Sequence, residues 1–171
     1  KNLKKRYKNL LTIIIPRHIH RVNKIVNEIK MLNLNVVLHS SKPKKLDNID
    51  IYLVDTYGET KKFYQSSNIV FMGKSLTGKG GQNPLEPANL GSTILHGPNV
   101  GNFNDTYRLL NKLKIAYKVN GVKSLTHSIK KLINKPNNKK SYLKIEKLGK
   151  KILAETKDEI NSLFNNEIKK T

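Results

Sequence analysis

A glycine-rich loop over residues 73–87 carries the residue types best suited to hold a ligand. It follows the apolar run 69–72 and leads into a predicted helix at Pro84. Glycine allows positive φ angles and close approach of a ligand to the backbone, and the free amides of a helix N-terminus attract anions. A strand, a glycine loop and a helix start in this order are therefore typical of a phosphate or nucleotide site.

The same loop comes close to a phosphate-binding P-loop without completing it. Gly73 is followed by four residues and then by Gly78 and Lys79, but Gly80 stands where a serine or threonine hydroxyl would bind magnesium. The loop also follows a later predicted strand than the first. Nucleoside triphosphate hydrolysis is therefore disfavoured, and a flexible glycine linker is the structural alternative.

Residues 83–87 predict a helix start that can also bind a ligand. Asn83 suits the N-cap, Pro84 the first helical position and Glu86 the third, which is a favourable capping arrangement. Pro87 should then remove a helix hydrogen bond, which favours a role beyond helix stability. Backbone amides here would hold a phosphate, while the Glu86 carboxylate accepts hydrogen bonds from the two hydroxyls of a ribose. A simple helix cap is the alternative.

Two further polar segments follow predicted strands. Arg17 comes after a β-branched run and Pro16, so we expect its guanidinium at the sheet edge, where it can bind a phosphate or carboxylate through two hydrogen bonds. An ordinary surface arginine is the alternative. Asp55 and Glu59 lie four residues apart around Gly58. We interpret these acids as stabilising a turn and a helix start rather than as a catalytic pair, with Gly58 allowing a ligand close to the backbone.

Composition argues against several classes of site. The chain has no cysteine, so it has no disulfide and no thiolate metal ligand, and its five histidines show no metal-ligand spacing. We therefore expect no metal and no cofactor. No apolar run approaches 18 residues, so neither a membrane-spanning helix nor a signal peptide is predicted in this sequence. The spacing of serine, histidine and aspartate shows no grouping for nucleophilic catalysis.

The chain is strongly basic, with a formal charge of +21 from 33 Lys and Arg against 12 Asp and Glu, and nearly all of its cations are lysine. A protein that binds nucleic acid usually has arginine side chains that form paired hydrogen bonds, and exposed aromatic residues that stack on bases. We therefore favour a solvated lysine surface, with a face for anionic lipid as the first alternative and nucleic-acid binding as the second. Because the sequence begins at Lys1 and its first residues are polar, we expect a piece of a longer protein, with residues 1–9 a linker remnant and 10–171 one domain.

Strand-like and helix-like patterns alternate along the chain, which predicts an α/β fold: a Rossmann-like, doubly wound, mostly parallel sheet of about six strands. Such sheets bind ligands beyond the carboxyl ends of their strands, and the three polar segments described above all follow strands, so we expect them at one rim. The predicted strands cover residues 10–15, 35–39, 51–54, 69–72, 93–96 and 115–119. The predicted helices cover residues 19–32, 59–66, 84–90, 103–113, 122–133 and 141–169, the last with a break near Gly149 as an alternative.

Taken together, these segments resemble the C-terminal half of the 3-deoxy-D-manno-octulosonic acid (Kdo) transferases. The family pattern Pro-Arg-His-x-x-Arg matches residues 16–21, and Val-Asp-Thr-x-Gly-Glu matches residues 54–59. The family's Gly-Gly-Ser-Leu loop, which ends in Gly-Gly-His-Asn-x-Leu-Glu-Pro, is similar to residues 73–87. Lys74 replaces a glycine of this pattern and Gln82 its histidine, so any role of that histidine near the sugar or acceptor would fall to a glutamine, which can still donate a hydrogen bond. Later agreement lies at Gly97, Pro98, Asn102 and Phe103.

The resemblance implies the donor-binding half of an inverting GT-B glycosyltransferase, which transfers Kdo from CMP-Kdo to a lipid A precursor in lipopolysaccharide biosynthesis. It implies no metal, and it places the carboxylate base in an N-terminal domain outside this chain, which alone would be inactive. It also implies the cytoplasmic face of the bacterial inner membrane, with an upstream anchor and an anionic membrane surface as partner, and no nucleic acid. The residues implied to bind CMP are Pro16, Arg17, Tyr57, Gly58, Glu59, Asn83, Pro84, Leu85 and Glu86, and the sugar or phosphate loop has Ser75, Gly80, Gly81 and Gln82.

Two alternatives stay open at this stage. One is a basic module that binds nucleic acid or anionic membranes, and the other is a GT-B transferase that uses a different nucleotide sugar.

Overall fold

The computed structural model describes residues 2–78, 80–135 and 141–168. The chain forms two compact units, residues 1–66 and 67–171. The described residues form six strands, paired in parallel as two three-stranded sheets, one in each unit. The predicted α/β class with six parallel strands is therefore confirmed. The assignment of residues 1–9 to a linker and 10–171 to one donor-binding domain stays a prediction.

The sheet of the first unit has β3 at its centre, because β1 and β2 both pair with it. In this register Ile14 of β1 and Leu38 of β2 both lie beside Leu53 of β3. Leu53 and the following Val54 are fully buried, as expected for the central strand of a parallel sheet. The elements of this unit are α1 (Asn2–Arg6), β1 (Thr12–Ile14), α2 (Val22–Met31), β2 (Val36–Leu38), β3 (Ile51–Leu53) and α3 (Thr60–Ser66).

The N-terminal helix α1 is tied to the first sheet through one lysine. The Nζ atom of Lys4 donates hydrogen bonds to the backbone oxygens of Leu10, at 2.8 Å, and Ile49, at 2.7 Å. These two oxygens precede β1 and β3, so Lys4 satisfies backbone groups at the amino edge of the sheet.

In the second unit β5 is the central strand, and consecutive residues on it serve two separate cores. Ile94 packs with Tyr107 and Leu110 on one face, whereas Leu95 packs with Leu132 on the other. Helices therefore cover both faces of the sheet, which is the doubly wound arrangement. The elements of this unit are β4 (Ile69–Met72), α4 (Leu85–Asn89), β5 (Thr93–His96), α5 (Asn104–Lys112), β6 (Ala116–Lys118), α6 (Val122–Leu132) and α7 (Ser141–Ile168).

The last helix runs unbroken through Gly149, so the alternative of a break there is wrong. A glycine inside an exposed helix costs only about 1 kcal/mol relative to alanine, and Gly149 is a single exposed residue in a helix of 28. Ile145, in the first turns of α7, packs against the core cluster of the second unit and fixes that end of the helix. The predicted last helical residue, Lys169, lies outside the described residues.

Candidate functional site

The carboxyl edge of the first sheet gathers polar segments from all three of its strands. Pro16 and Arg17 follow β1, a short 3-10 helix (His39–Ser41) follows β2, and residues 55–59 follow β3. Since the three strands are parallel, these segments leave the sheet at the same edge, as predicted for the first and third of them. Arg17 is exposed, and it makes no ion pair with any residue that the structure describes.

Residues 55–59 form a turn, here called the acidic turn, and its first acid is fixed by Ser40. The backbone N–H of Ser40 donates to Asp55 Oδ1 at 2.8 Å, and its hydroxyl donates to Asp55 Oδ2. Partial burial acts to raise the pKa of Asp55, but the two hydrogen bonds from Ser40 outweigh it and hold the pKa below its usual value. Asp55 is thus an ionised structural acceptor, in agreement with its interpretation as a turn acid.

The second acid of the acidic turn, Glu59, accepts three hydrogen bonds. Lys62 Nζ donates to Oε1 at 3.1 Å, while Thr56 Oγ1 at 2.9 Å and His39 Nε2 at 2.6 Å share Oε2. Lys62, Thr56 and His39, in that order of effect, lower the pKa of Glu59 to about 2. The carboxylate of Glu59 is therefore ionised and occupied within the protein.

Between the two acids the acidic turn presents its backbone outward. Tyr57 has 68% of its surface exposed, and Gly58, also exposed, has a φ angle of +86° that side chains other than glycine rarely adopt. This geometry suits a ligand that approaches the backbone, as predicted from Gly58. Of the predicted CMP residues in this turn, Tyr57 and Gly58 are open to solvent and Glu59 is half-buried.

His39 and Tyr52 are two members of this edge that the sequence analysis did not single out. Tyr52 Oη lies 2.6 Å from His39 Nδ1, and the two rings meet edge to face with centroids 5.6 Å apart. Phe63 of α3 also contacts the histidine edge to face, with ring centroids 5.2 Å apart, and lies 5.9 Å from the Tyr52 ring, so the three rings form one cluster. The position of His39 at the end of a predicted strand was the available signal, but its partners lie 13, 20 and 24 residues further along the chain.

In the second unit the loop after β4 is organised by the buried Ser75. Its hydroxyl donates to the backbone oxygen of Met72 at 2.6 Å and accepts the N–H of Gly97 at 2.8 Å. Its own backbone oxygen accepts the N–H of Asn99 at 2.9 Å. Ser75 is completely buried, so it joins the ends of β4 and β5 from inside the loop. Its assignment to the sugar or phosphate loop stays a prediction.

The glycine pair of this loop packs closely against the segment that follows β5. A Cβ atom on Gly81 would lie 2.9 Å from the Cα and backbone oxygen of Val100, a separation that real Cβ atoms essentially never show. A Cβ atom on Gly101 would lie only 2.6 Å from the Cα of Gly80. Contacts this close argue against the alternative of a flexible linker for the described part of the loop.

Lys74 occupies a backbone conformation that glycine would adopt more easily. Its φ angle is +65°, in the left-handed region, which costs a residue with a side chain roughly 1–2 kcal/mol. This is the position at which the sequence departs from the glycine of the Kdo transferase pattern. The loop therefore carries the backbone cost of a lysine at this position.

The start of α4 differs from its prediction by one residue. The helix begins at Leu85, so Glu86 is its second residue rather than its third and Pro84 precedes it. Pro84 therefore takes the N-cap position predicted for Asn83, although Asn83 still holds the start of the helix, because its Oδ1 accepts the N–H of Leu85 at 3.0 Å. The expectation that Pro87 removes a helix hydrogen bond is wrong: Pro87 is the third residue of α4, where a backbone N–H has no partner within the helix.

Glu86 and Gln82 lie on either side of this cap and differ in their surroundings. Glu86 is exposed, and its carboxylate has no hydrogen bond or ion pair in the described part of the chain. The backbone oxygen of Gln82 accepts the hydroxyl of the buried Tyr107 at 3.0 Å, which leaves the side chain amide outside that bond. Glu86 is therefore available to accept hydrogen bonds from a ligand.

A separate cavity of about 470 Å³ in the second unit includes no predicted site residue. Its cationic walls, with no carboxylate among the lining residues, would suit an anionic group. The lining residues are His96, Pro98, Val100, Asn104, Arg108, Asn111, Lys112 and Lys118.

The residues that the structure describes contain neither a metal-binding cluster nor a helix able to span a membrane. Within residues 2–78, 80–135 and 141–168 no three or more His, Asp or Glu side chains are grouped so that they could hold a metal ion. None of the helices in those ranges combines the length and the apolar character needed to cross a bilayer.

Comparison with known sequences finds relatives that are named as transferases. No family model matches the chain. The 3-deoxy-D-manno-octulosonic acid transferase of Haemophilus influenzae is 29% identical over 161 residues, which are 94% of this chain and 37% of that protein. A bifunctional glycosyltransferase/methyltransferase of Fusobacterium nucleatum is 36% identical over 135 residues, 78% of this chain and 21% of that protein. The chain thus spans less than two fifths of the length of these relatives.

Comparison with solved structures supports the fold. The C-terminal CMP-Kdo binding domain of WaaA from Acinetobacter baumannii superposes with a TM-score of 0.74 at 24% sequence identity. The match covers 82% of this chain and 74% of that domain. The chain therefore has the fold of that domain.

Proposed function

We propose that this chain, a homologue of the Kdo transferases, is a donor-binding domain that holds CMP-Kdo for transfer of Kdo to a lipid A precursor. One observation carries this proposal: the predicted CMP residues follow the carboxyl ends of β1, β3 and β4, where parallel sheets bind ligands. Similarity to a Kdo transferase over 94% of the chain, and the fold of a CMP-Kdo binding domain, support CMP-Kdo as the proposed ligand.

In the first unit, the proposed contacts to CMP combine one side chain with exposed backbone. Arg17 is exposed and without an ion pair among the described residues, so its guanidinium can pair with the phosphate. Tyr57 and Gly58 offer an exposed backbone for hydrogen bonds to the base. Glu59 already accepts three hydrogen bonds, so in this proposal it supports the acidic turn.

In the second unit, the proposed contacts lie at the start of α4. Asn83 fixes the first turn by accepting the N–H of Leu85, which leaves the unpaired Glu86 carboxylate beside the helix start. A carboxylate can accept hydrogen bonds from both hydroxyls of a ribose, and this is the role proposed for Glu86. Gly80, Gly81 and Gln82 precede this turn and would meet the sugar or the phosphate.

The residues proposed to bind CMP do not include the catalytic base of the transfer reaction. We propose that an N-terminal domain supplies a carboxylate base that activates the acceptor hydroxyl, and that no metal takes part. We also propose that the whole protein works at the cytoplasmic face of the bacterial inner membrane, where the positive charge of +21 would favour an anionic surface.

Calorimetric titration of the full 171-residue chain with CMP tests the site. We expect weak binding by the native chain, and at least tenfold weaker binding in Arg17→Ala and in Glu86→Ala, because each variant removes a charge-assisted contact. Arg6→Ala and Glu28→Ala are matched controls, since both residues are exposed and neither belongs to the predicted site or lines the cationic cavity. Native affinity in both site variants would overturn the residue assignment.

The same titrations separate the alternatives. UDP that competes as strongly as CMP would point to a different nucleotide sugar. Steeply salt-dependent binding to DNA, with no response to CMP, would point to a basic nucleic-acid module.

A further inference from the structure

We infer that His39 is a positioning residue for donor binding: with Ser40, it clamps both ends of the acidic turn and so presents the backbone of Tyr57 and Gly58 in a preformed shape. This inference rests on the proposed function for its ligand. It concerns residues outside the predicted site, and it changes the expected role of Glu59 from a ligand of CMP to the anchor of the turn.

The clamp is formed by two consecutive residues that leave β2. Ser40 holds Asp55, the first residue of the acidic turn, through its backbone N–H and its hydroxyl. His39 holds Glu59, the last residue of the turn, at 2.6 Å. Both acids are thus fixed from the neighbouring strand, while the residues between them remain exposed.

The histidine ring is itself held by three partners, Glu59, Tyr52 and Phe63. Tyr52 of β3 lies 2.6 Å from Nδ1, and Phe63 of α3 packs edge to face at 5.2 Å between ring centroids. Only a quarter of the His39 side chain is exposed, at 25%, and the Glu59 side chain is similar at 27%. A ring with this many contacts has little rotational freedom, so Glu59 cannot move without breaking them.

The direction of each hydrogen bond follows from the chemistry of the partners. An ionised carboxylate only accepts, so His39 Nε2 must carry the proton that it donates to Glu59. In the neutral ring Nδ1 then accepts the hydroxyl proton of Tyr52, and in the protonated ring Nδ1–H donates to the Tyr52 oxygen instead. The titratable groups that face the ring are Tyr52, Asp55 and Glu59, with Lys62 on the far side of the Glu59 carboxylate. The clamp therefore holds in both protonation states of the histidine.

A preformed turn increases affinity because it lowers the cost of binding. A ligand that meets an already ordered backbone does not have to immobilise it. Each hydrogen bond that orders the turn contributes modestly to the stability of its ordered conformation. Loss of the bond from His39 to the charged Glu59 should therefore weaken ligand binding by roughly tenfold.

Three substitutions at one position test the inference in the full 171-residue chain. His39→Ala removes both hydrogen bonds. His39→Gln places an amide N–H near the former Nε2 and can still donate to Glu59, whereas His39→Asn is shorter and reaches only the Tyr52 side. We expect CMP to bind about tenfold more weakly to the Ala and Asn variants and within about threefold of native to the Gln variant. Equal affinity in all three and in the native chain would overturn the inference.

Amide hydrogen exchange without ligand supplies an independent measurement. We expect residues 56–59 to exchange about tenfold faster in His39→Ala and His39→Asn than in the native chain, and at near-native rates in His39→Gln, while the amides of β3 stay unchanged. Faster exchange throughout the first unit in His39→Ala would indicate general destabilisation and contradict a specific positioning role. If the native protein fails to bind CMP but the exchange rates change as expected, the proposed function is wrong and the structural role of His39 stands. If residues 56–59 of His39→Ala exchange at the native rate, His39 does not hold the turn and the inference is wrong.

Discussion

The carboxylate of Glu59 accepts a 2.6 Å hydrogen bond from Nε2 of His39, a residue that precedes it by 20 positions. The same carboxylate also accepts bonds from Thr56 and Lys62. The glutamate is thereby committed to the structure of the turn, and the backbone of the turn, not this side chain, is left for a ligand.

Acid should weaken the fold through this carboxylate. The pKa of Glu59 is about 2 in the folded protein, against an unperturbed value of 4.5 in the unfolded chain. Its contribution to the free energy of unfolding is therefore fully present above about pH 4.5 and is lost as the pH falls towards 2. The pKa of Asp55 is also lowered and contributes with the same sign. We expect urea unfolding to show a fall in stability from pH 5 to pH 2 that is smaller in Glu59→Gln. An identical fall in both proteins would contradict the assignment.

Removal of the Ser75 hydroxyl should destabilise the second unit. The variant Ser75→Ala leaves the N–H of Gly97 buried without its acceptor, which costs roughly 1–3 kcal/mol. Chemical denaturation monitored by circular dichroism would measure the change in the free energy of unfolding. Thr77→Ala is the control, because Thr77 lies in the same loop but is exposed. A loss in the control as large as in Ser75→Ala would show that the loop as a whole, and not this hydrogen bond, is sensitive.

Two glycine-to-alanine substitutions should change stability in opposite directions. Gly81→Ala places a Cβ atom 2.9 Å from the backbone of Val100, so we expect a loss of about 1–3 kcal/mol. Gly149→Ala meets no atom within 4 Å and lies inside α7, so it should stabilise that helix by about 0.5–1 kcal/mol. Thermal unfolding of both variants beside the native chain tests the pair. A rise in Tm for Gly81→Ala would mean that the two backbone segments are not packed together.

Glycine at position 74 should raise stability. The variant Lys74→Gly removes the cost of holding a lysine at a φ angle of +65°. Because glycine also increases the conformational entropy of the unfolded chain, we expect a net gain in the free energy of unfolding of about 0.5–1 kcal/mol. Lys130→Gly, inside α6, is the matched control and should lose about 1 kcal/mol. Equal destabilisation by the two substitutions, measured by urea unfolding, would argue that position 74 carries no backbone cost.

The regular elements of the chain were predictable because they depend on local patterns. The β-branched and apolar runs 69–72 and 93–96 coincide residue for residue with β4 and β5. The strands of the first unit were placed correctly, but each ends one residue earlier than predicted, and β1 and β2 also begin two residues and one residue later. The pattern of apolar residues along the chain identifies a strand, whereas the residues at which the strand begins and ends depend on where the neighbouring strand pairs with it.

The candidate site was only partly predictable. The sequence by itself determined which segments follow strands, that Gly58 permits an outward backbone, and that a helix begins just after Asn83. Only the tertiary structure decided that His39 and Ser40 would meet Glu59 and Asp55, because that contact requires β2 and β3 to be neighbours in the order β1-β3-β2. Local sequence patterns do not specify strand order, which is settled by the packing of all the strands and helices of a unit together.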